Sequence, residues 1–237
     1  EVHQEGRHAD GDDVAAARQT QRVLDGLSAV GHDHGLFDVF ARALLDVLDD
    51  GADVLVARNY GVSYETIQAG LSAVRVKGRT EIVPDTGDVR VLLDYAHNEL
   101  SVKSLFDMLL LYKPKRLIAV FGCGGNRSKL RRYGMGEICA KMADFSIVTE
   151  DNNRFEKVED IIADIRVGME KGNPDAKYVE IPDRLDALHY AIDHAQEGDL
   201  IAVIGKGHEA YRDREGVKTP FLERELIEEY AAETGVE

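Results

Sequence analysis

Apolar runs alternate with amphipathic segments along most of this chain of 237 residues. Continuous apolar runs of strand length predict buried strands, and apolar positions spaced three and four apart predict helices. The predicted strands cover residues 89–95, 116–121, 145–149, 177–181 and 200–204. The predicted helices cover residues 63–74, 99–111, 131–142, 158–171, 184–196 and 223–233.

Short strands that alternate with helices of about 12 residues indicate a parallel sheet that is buried on both faces. The predicted fold class is therefore α/β: a doubly wound, mainly parallel, Rossmann-like sheet with helices on both faces. Ligands of such folds bind outside the carboxyl ends of the strands. The residues that directly follow each predicted strand are the first candidates for a functional site.

The loops after the first two strands contain candidate ligand contacts. In Asp94-Tyr-Ala-His97-Asn98, Asn98 is placed to cap the next helix, and His97 is either an edge residue or a ligand contact. The second loop reads Gly122-Cys-Gly-Gly-Asn-Arg-Ser-Lys-Leu-Arg-Arg132. Its glycines let the backbone approach a ligand closely, and its cations favour a negatively charged one. We expect an anion site there, of a kind that differs from the phosphate-binding pattern G-x-x-x-x-G-K-[ST].

The loops after the third and the last strand contain charged groups of both signs. Asp151-Asn152-Asn153-Arg154 is either an ordinary turn or a grip for a zwitterion, because Arg can bind a carboxylate while Asp binds an ammonium group. Gly205-Lys-Gly-His-Glu209 combines two glycines with a cation, an imidazole and a carboxylate. Such a combination favours a binding loop over a plain connection.

Charge and composition exclude several classes of function. The net charge of −15 argues against general nucleic-acid binding, which needs cations that neutralise phosphates. No apolar run approaches the roughly 20 residues that span a bilayer, and the first residues lack the pattern of a secretory signal. The two cysteines, Cys123 and Cys139, are too few for a disulfide framework or a four-ligand zinc site. We predict a cytoplasmic protein that binds neither nucleic acid nor membrane.

The first quarter of the chain differs in composition from the rest. Residues 1–57 contain 12 Asp and Glu against 4 Arg, and no Lys, Ile, Asn, Pro, Tyr, Met or Cys. Apolar spacing predicts helices within residues 13–27 and 36–48. A break of this kind marks a boundary. Two interpretations are open: a genuine acidic helical extension, or a segment that is not native to the following domain, such as an out-of-frame or fused translation.

Four sequence strings, in this order, resemble the C-terminal domain of the Mur ligases. They are Asp94-Tyr-Ala-His-Asn98, Phe121-Gly-Cys-Gly-Gly-Asn-Arg127, Asp151-Asn-Asn-Arg154 and Gly205-Lys-Gly-His-Glu209. The resemblance covers residues 59–237 and is strongest to the branch of the family that adds the third amino acid of the peptidoglycan precursor. It implies the tail of a Mur central domain (59–77) and a Mur ligase C-terminal domain (78–237), and the break in composition adds the atypical acidic segment (1–58) before them.

The resemblance implies an ATP-dependent amide-bond ligase of peptidoglycan biosynthesis. In this family ATP phosphorylates the carboxylate of a UDP-N-acetylmuramoyl dipeptide. The amine of the incoming diamino acid, here meso-diaminopimelate, then attacks the acyl phosphate, while Mg²⁺ and cations stabilise the intermediate. ATP and Mg²⁺ would be held through the central domain, whose phosphate-binding loop does not occur in these 237 residues. We therefore expect the chain to need the family's N-terminal and central domains for activity.

The resemblance also implies roles for individual residues. The family's contacts with meso-diaminopimelate fall on Arg132, Asp151, Asn152, Arg154, Gly205 and Glu209. Arg154 would bind the carboxylate of the second amino-acid centre, and Glu209 would bind its ammonium group. The residues nearer the nucleotide are His97, Asn98 and Arg127. No residue is assigned a certain catalytic role, and none is assigned to a metal.

Three departures from the family pattern leave alternatives open. Asp-Asn-Pro-Arg reads Asp151-Asn-Asn-Arg154, which removes the fixed φ of proline; Asp-Arg-Asp reads Asn126-Arg-Ser128; and Arg-Pro-Leu-Met reads Arg132-Tyr-Gly-Met135. The alternatives are a lysine-adding Mur ligase, a ligase similar to folylpolyglutamate synthetase, and a non-catalytic module that binds an amino acid or a nucleotide. The retained Arg154 favours the diaminopimelate ligase, whereas the absent phosphate-binding loop favours the module.

Overall fold

The computed structural model describes residues 57–73, 76–83, 86 and 88–234. Its contacts divide the chain into two compact units, Glu1–Val74 and Arg75–Glu237. The described part of the first unit contains helix α1 (Tyr64–Ala73), which confirms the predicted helix. Its first turn is capped by Ser63, whose Oγ accepts a hydrogen bond from Thr66 N at 3.2 Å. The acidic segment and its predicted helices lie outside the described residues, apart from the last residues before Asn59.

A six-stranded sheet forms the centre of the second unit. Its strands are β1 (Glu81–Val83), β2 (Arg90–Asp94), β3 (Arg116–Phe121), β4 (Phe145–Val148), β5 (Tyr178–Glu180) and β6 (Asp199–Ile204). They lie in the order β1-β2-β6-β3-β4-β5, in which β1 is antiparallel to β2 and all other neighbours are parallel. Val203 pairs with Leu93 on one side and with Val120 on the other. The carboxyl ends of β2, β6 and β3 therefore meet at one edge of the sheet.

Helices cover both faces of this sheet. They are α2 (Glu99–Leu110), α3 (Lys129–Met142), α4 (Val158–Gly172), α5 (Arg184–Asp193) and α6 (Glu223–Thr234). Ile118 and Val120 of β3 pack in one core with Ala187 of α5 and Ile227 of α6. Side chains alternate along a strand, so Leu117 and its alternate neighbours in β3 face the opposite side, where α3 packs against α2 and α4.

The predicted fold class is confirmed: a mainly parallel, doubly wound sheet with helices on both faces. Each strand and helix that the sequence predicts in this unit is present, with small differences at the ends. The predicted cap at Asn98 is also confirmed, because Asn98 Oδ1 accepts from Ser101 N at 3.0 Å and Ser101 Oγ accepts from Asn98 N at 3.3 Å. No helix in the described part of the chain is long and apolar enough to cross a membrane.

Two features were not predicted from the sequence. One is the three-residue edge strand β1. The other is a hairpin of β7 (Tyr211–Arg214) and β8 (Val217–Pro220). Its two loop residues, Glu215 and Gly216, have φ of 53° and 77°, as a type I′ turn requires. The hairpin directly follows the loop after β6, so it lies next to the candidate site.

Candidate functional site

The loops after β2, β6, β3 and β4 adjoin one another at the carboxyl edge of the sheet. Gly205 N donates to Asp94 O at 3.1 Å, which joins the first of these loops to the second. Gly125 N donates to Asn152 O at 2.9 Å, which joins the third to the fourth. Gly122 lies so close to the β4 loop that a Cβ there would be 2.3 Å from Thr149 O. The glycines of the sequence motif thus allow the loops to pack backbone against backbone.

Lys206 is the centre of this cluster. Its side chain is 0% exposed, and its Nζ donates to Asn152 Oδ1 at 3.1 Å. The same Nζ lies 3.6 Å from Asp151 Oδ1 and 3.5 Å from Glu209 Oε2. Asn152 Nδ2 donates to Glu209 Oε2 at 2.6 Å. One buried cation therefore gathers Asp151, Asn152 and Glu209, three of the residues predicted to contact the amino acid.

Sequence analysis gave Lys206 no role of its own. The one signal was its position, because Lys206 lies between two glycines just after a fully buried strand, where the backbone can pack closely against neighbouring loops. The pattern could not reveal the partners of Lys206. The Asn and the two carboxylates come from two different loops, and the fold alone brings them together.

Arg154 presents a partly free guanidinium beside this cluster. Its backbone has a φ of 51°, a left-handed conformation that residues other than Gly rarely adopt. Nη1 donates to Gly125 O at 2.6 Å. The other guanidinium nitrogens make no hydrogen bond with the residues that the structure describes. The half-buried Arg154 thus has donors left for a carboxylate.

Arg132 does not lie with the other residues that are predicted to contact the substrate. It is 1% exposed within α3, and it donates to Glu156 Oε1 at 2.8 Å and to Asp164 Oδ2 at 2.9 Å. The hydrogen bond from Arg132 lowers the pKa of Glu156. Burial would raise the pKa of Asp164, but the hydrogen bonds from Lys129 and Arg132 outweigh it and lower that pKa. The structure therefore joins Arg132 to the α3–α4 pair and not to the Lys206 cluster.

This ion pair leads to a prediction about acid stability. We expect Arg132→Met to lower the free energy of unfolding by about 2 kcal/mol at neutral pH, because Glu156 loses its ion-pair partner and Asp164 keeps only Lys129. A lowered carboxylate pKa stabilises the fold above the ordinary values, 4.5 for Glu156 and 3.8 for Asp164, and that stability is lost as the pH falls through the lowered pKa. Urea unfolding at several pH values should therefore give a difference in unfolding free energy between the two proteins that shrinks as the pH falls below these ordinary values.

The neighbouring Arg131 supplies the control, because it forms no ion pair with the described residues. Arg131→Met should change the free energy of unfolding by less than about 0.5 kcal/mol at every pH. A loss in Arg132→Met that does not change with pH would mean that packing of the side chain, rather than its charge, stabilises α3 and α4.

Of the residues expected near the nucleotide, His97 packs against Tyr95. The Tyr95 ring is 4.8 Å from that of His97 and 5.1 Å from that of His208, and the Arg79 guanidinium lies 4.5 Å above it. His97 Nδ1 donates to Tyr95 O at 2.7 Å, which leaves Nε2 of the same ring for a ligand. The Asn98 side chain is already used as the cap of α2.

The glycine loop after β3 is less open to anions than its sequence indicates. Gly125 N donates to Asn152 O, and Asn126 N donates to Glu156 Oε1, so both amides are used within the protein. Arg127 is exposed and forms no ion pair in the described part of the chain. Among the described residues, no group of three His, Cys, Asp or Glu side chains could hold a metal ion. Arg127 thus fits a single contact with a phosphate, and these residues do not form a complete nucleotide or metal site.

Comparison with known proteins identifies the family of this chain. The family model described as "Mur ligase, glutamate ligase domain" matches residues 78–207. A relative from Caldanaerobacter subterraneus subsp. tengcongensis is 42% identical over 200 residues, which cover 84% of this chain and 39% of that protein. This chain belongs to the Mur ligase family.

Other members of the family support the same assignment. A relative from Aquifex aeolicus is 39% identical over 169 residues, which cover 71% of this chain and 34% of that protein. Both relatives are named UDP-N-acetylmuramoyl-L-alanyl-D-glutamate–2,6-diaminopimelate ligase. A solved structure with that name has a TM-score of 0.62 and 28% identity, and the match covers 78% of this chain and 37% of that one. The chain thus spans well under half the length of these Mur ligases.

Proposed function

We propose that this chain is the amino-acid-binding part of an ATP-dependent ligase that adds meso-diaminopimelate to UDP-N-acetylmuramoyl-L-alanyl-D-glutamate. The observation that carries the proposal is the Arg154 guanidinium, which has donors left beyond its bond to Gly125 O, in the same loop as Asp151, whose carboxylate Lys206 gathers with that of Glu209. The names of the relatives at 42% and 39% identity support the same substrate.

The chemistry of meso-diaminopimelate fits this arrangement. One of its two amino-acid centres supplies the amine that forms the new bond, so the other must be held by its carboxylate and its ammonium group. Arg154 would bind the carboxylate, and Glu209 with Asp151 would bind the ammonium group. Lysine has an ammonium group at the same end but no carboxylate, so it would leave Arg154 without a partner.

The residues of this chain would act by binding and orientation. A held distal centre fixes where the reacting amine lies, which removes much of the entropy cost of bringing it to the activated carboxylate. ATP, with Mg²⁺, supplies the activation by phosphorylating the dipeptide. Among the residues that the structure describes, Arg127 and His97 Nε2 would contact the nucleotide. The other domains of the longer enzyme would hold the metal and the UDP-linked dipeptide.

Titration calorimetry on this chain tests the proposal with four ligands: meso-diaminopimelate, L-lysine, L-glutamate and ATP. We expect meso-diaminopimelate to bind at least about tenfold more tightly than lysine, because one charge-assisted contact is worth about 1.5–3 kcal/mol. Arg154→Ala should remove this preference, whereas Arg131→Ala should keep it. Equal affinity for lysine in the unmodified chain would favour a lysine-adding ligase. A folded chain that binds none of the amino acids would overturn the proposal.

A further inference from the structure

An ion-pair network next to the site joins the β7–β8 hairpin to the sheet. Glu150 follows β4 and is 2% exposed. Its carboxylate accepts from Arg214 Nε at 2.8 Å and also from Arg214 Nη2. Arg214 Nη2 donates to Asp183 Oδ2 at 2.9 Å, and Arg212 Nη1 lies 3.4 Å from the same oxygen. Arg212 and Arg214 are alternate residues of β7, so both project from one face of the strand onto the same two carboxylates.

Glu150 is itself firmly held by the core. The buried Arg184 donates from Nη1 to Glu150 O and from Nη2 to Ile204 O, both at 3.0 Å. The same guanidinium donates from Nε to the buried carboxylate of Glu223. These bonds fix the backbone of Glu150 to the end of β6. The Glu150 carboxylate is therefore a rigid point to which Arg214 attaches the hairpin.

The free backbone edge of the same strand binds Asn152 and Arg154, two of the residues predicted to contact the amino acid. Asp213, between the two arginines, accepts from Arg154 N at 3.0 Å through its carbonyl and donates from its own N to Asn152 Oδ1 at 2.9 Å. Glu215 N donates to Arg154 O at 2.6 Å. Both backbone polar groups of Arg154 are thus bound by the hairpin. These bonds hold the left-handed φ of 51° that directs its side chain toward Gly125.

We propose that Glu150 and Arg214 are positioning residues: they fix the hairpin, and the hairpin fixes the left-handed Arg154 that binds the distal carboxylate of the amino acid. This inference rests on the proposed function for the role of Arg154. Neither Glu150 nor Arg214 needs to touch the ligand. Without their ion pair, Asp183 is the main carboxylate that still attaches the hairpin among the described residues, so the hairpin is held less firmly and Arg154 relaxes toward an ordinary negative φ.

Glu150→Gln tests the inference, because it keeps the shape of the side chain and removes its charge. We expect the affinity for meso-diaminopimelate to fall about tenfold, because a displaced Arg154 no longer makes its charge-assisted contact with the ligand. We also expect loss of the strong intraresidue NOE between the amide proton and Hα of Arg154, which marks a positive φ. Arg214→Gln breaks the same pair from the more exposed partner and should give the same two results.

A second substitution tests whether the hairpin carries the effect. Asn-Gly is the preferred pair in a type I′ turn, so Glu215→Asn should stabilise the hairpin at a position where the Glu215 side chain is exposed. In the double variant Glu150→Gln/Glu215→Asn we expect meso-diaminopimelate to bind about threefold more tightly than it binds to Glu150→Gln. The Arg154 NOE should also return. No rescue would overturn the positioning role, because it would mean that Glu150 acts without the hairpin.

Glu180→Gln is the matched control. Glu180 accepts from Arg166 Nε at 2.7 Å and from Arg166 Nη2 at 2.8 Å, a pair of the same geometry that does not involve the hairpin. An equal loss of affinity in this control, or an unchanged affinity and NOE in Glu150→Gln, would overturn the inference. If the unmodified chain binds no amino acid, the proposed function fails, but the Arg154 NOE still decides whether Glu150 holds its backbone.

Discussion

Lys206→Met should lower the free energy of unfolding of the chain by about 3–5 kcal/mol, the usual cost of removing one member of a buried ion pair. Met keeps most of the volume of the side chain and removes only the charge and the donors. The carboxylates of Asp151 and Glu209, 10% and 18% exposed, would then lose the cation that lies within 3.6 Å of both. Asn152 Oδ1 would keep a single donor, the backbone amide of Asp213.

Urea unfolding followed by circular dichroism measures this loss, and Lys218→Met is its matched control. Lys218 has the same charge, and its Nζ lies 4.0 Å from the centroid of the Tyr211 ring. Lys206 Nζ lies 5.6 Å from the centroid of the same ring. Because Lys218 is exposed, its substitution should change the free energy of unfolding by less than about 0.5 kcal/mol. Equal stability of the two variants would mean that Asp151 and Glu209 do not depend on the Lys206 ammonium group.

The parts of the fold that the sequence predicts are those in which local pattern and burial agree. β3 and β6 are continuous apolar runs because both of their faces are covered, and the sequence places them correctly within a residue. Asn98 is recognisable because a cap is a local interaction between residues three apart. The β7–β8 hairpin has no such pattern: its strands are polar, and Glu-Gly is a weaker turn signal than Asn-Gly.

The candidate site also has one part that the sequence predicts and one part that it does not. The loops that form it follow from the strand order, because carboxyl ends of parallel strands meet at one edge. The partners of each charge do not follow from it. Arg132 and Arg154 are both cations in segments that follow a predicted strand, yet Arg132 is joined to Glu156 and Asp164 while Arg154 keeps free donors. That difference depends on which residues of α4 face α3, a tertiary contact that no short spacing encodes.

Gly168→Ala should lower the free energy of unfolding by about 3 kcal/mol, because α3 and α4 pack too closely for a side chain at this position. A Cβ on Gly168 would lie 2.1 Å from Tyr133 O and 2.8 Å from Tyr133 Cα. These are backbone atoms, so the contact is relieved only by moving one helix away from the other. Alanine gains about 1 kcal/mol over glycine in helix propensity, which offsets only part of that cost.

Val167→Ala is the control for this substitution, since Val167 is the adjacent residue of α4 and is 56% exposed. It should leave the midpoint of urea unfolding nearly unchanged. Because α3 follows the glycine loop and α4 follows the Arg154 loop, separated helices should also weaken binding of meso-diaminopimelate in the fraction of Gly168→Ala that stays folded. A Gly168→Ala variant as stable as the control would mean that the two helices separate without cost, and the position of Arg154 would then depend on the hairpin alone.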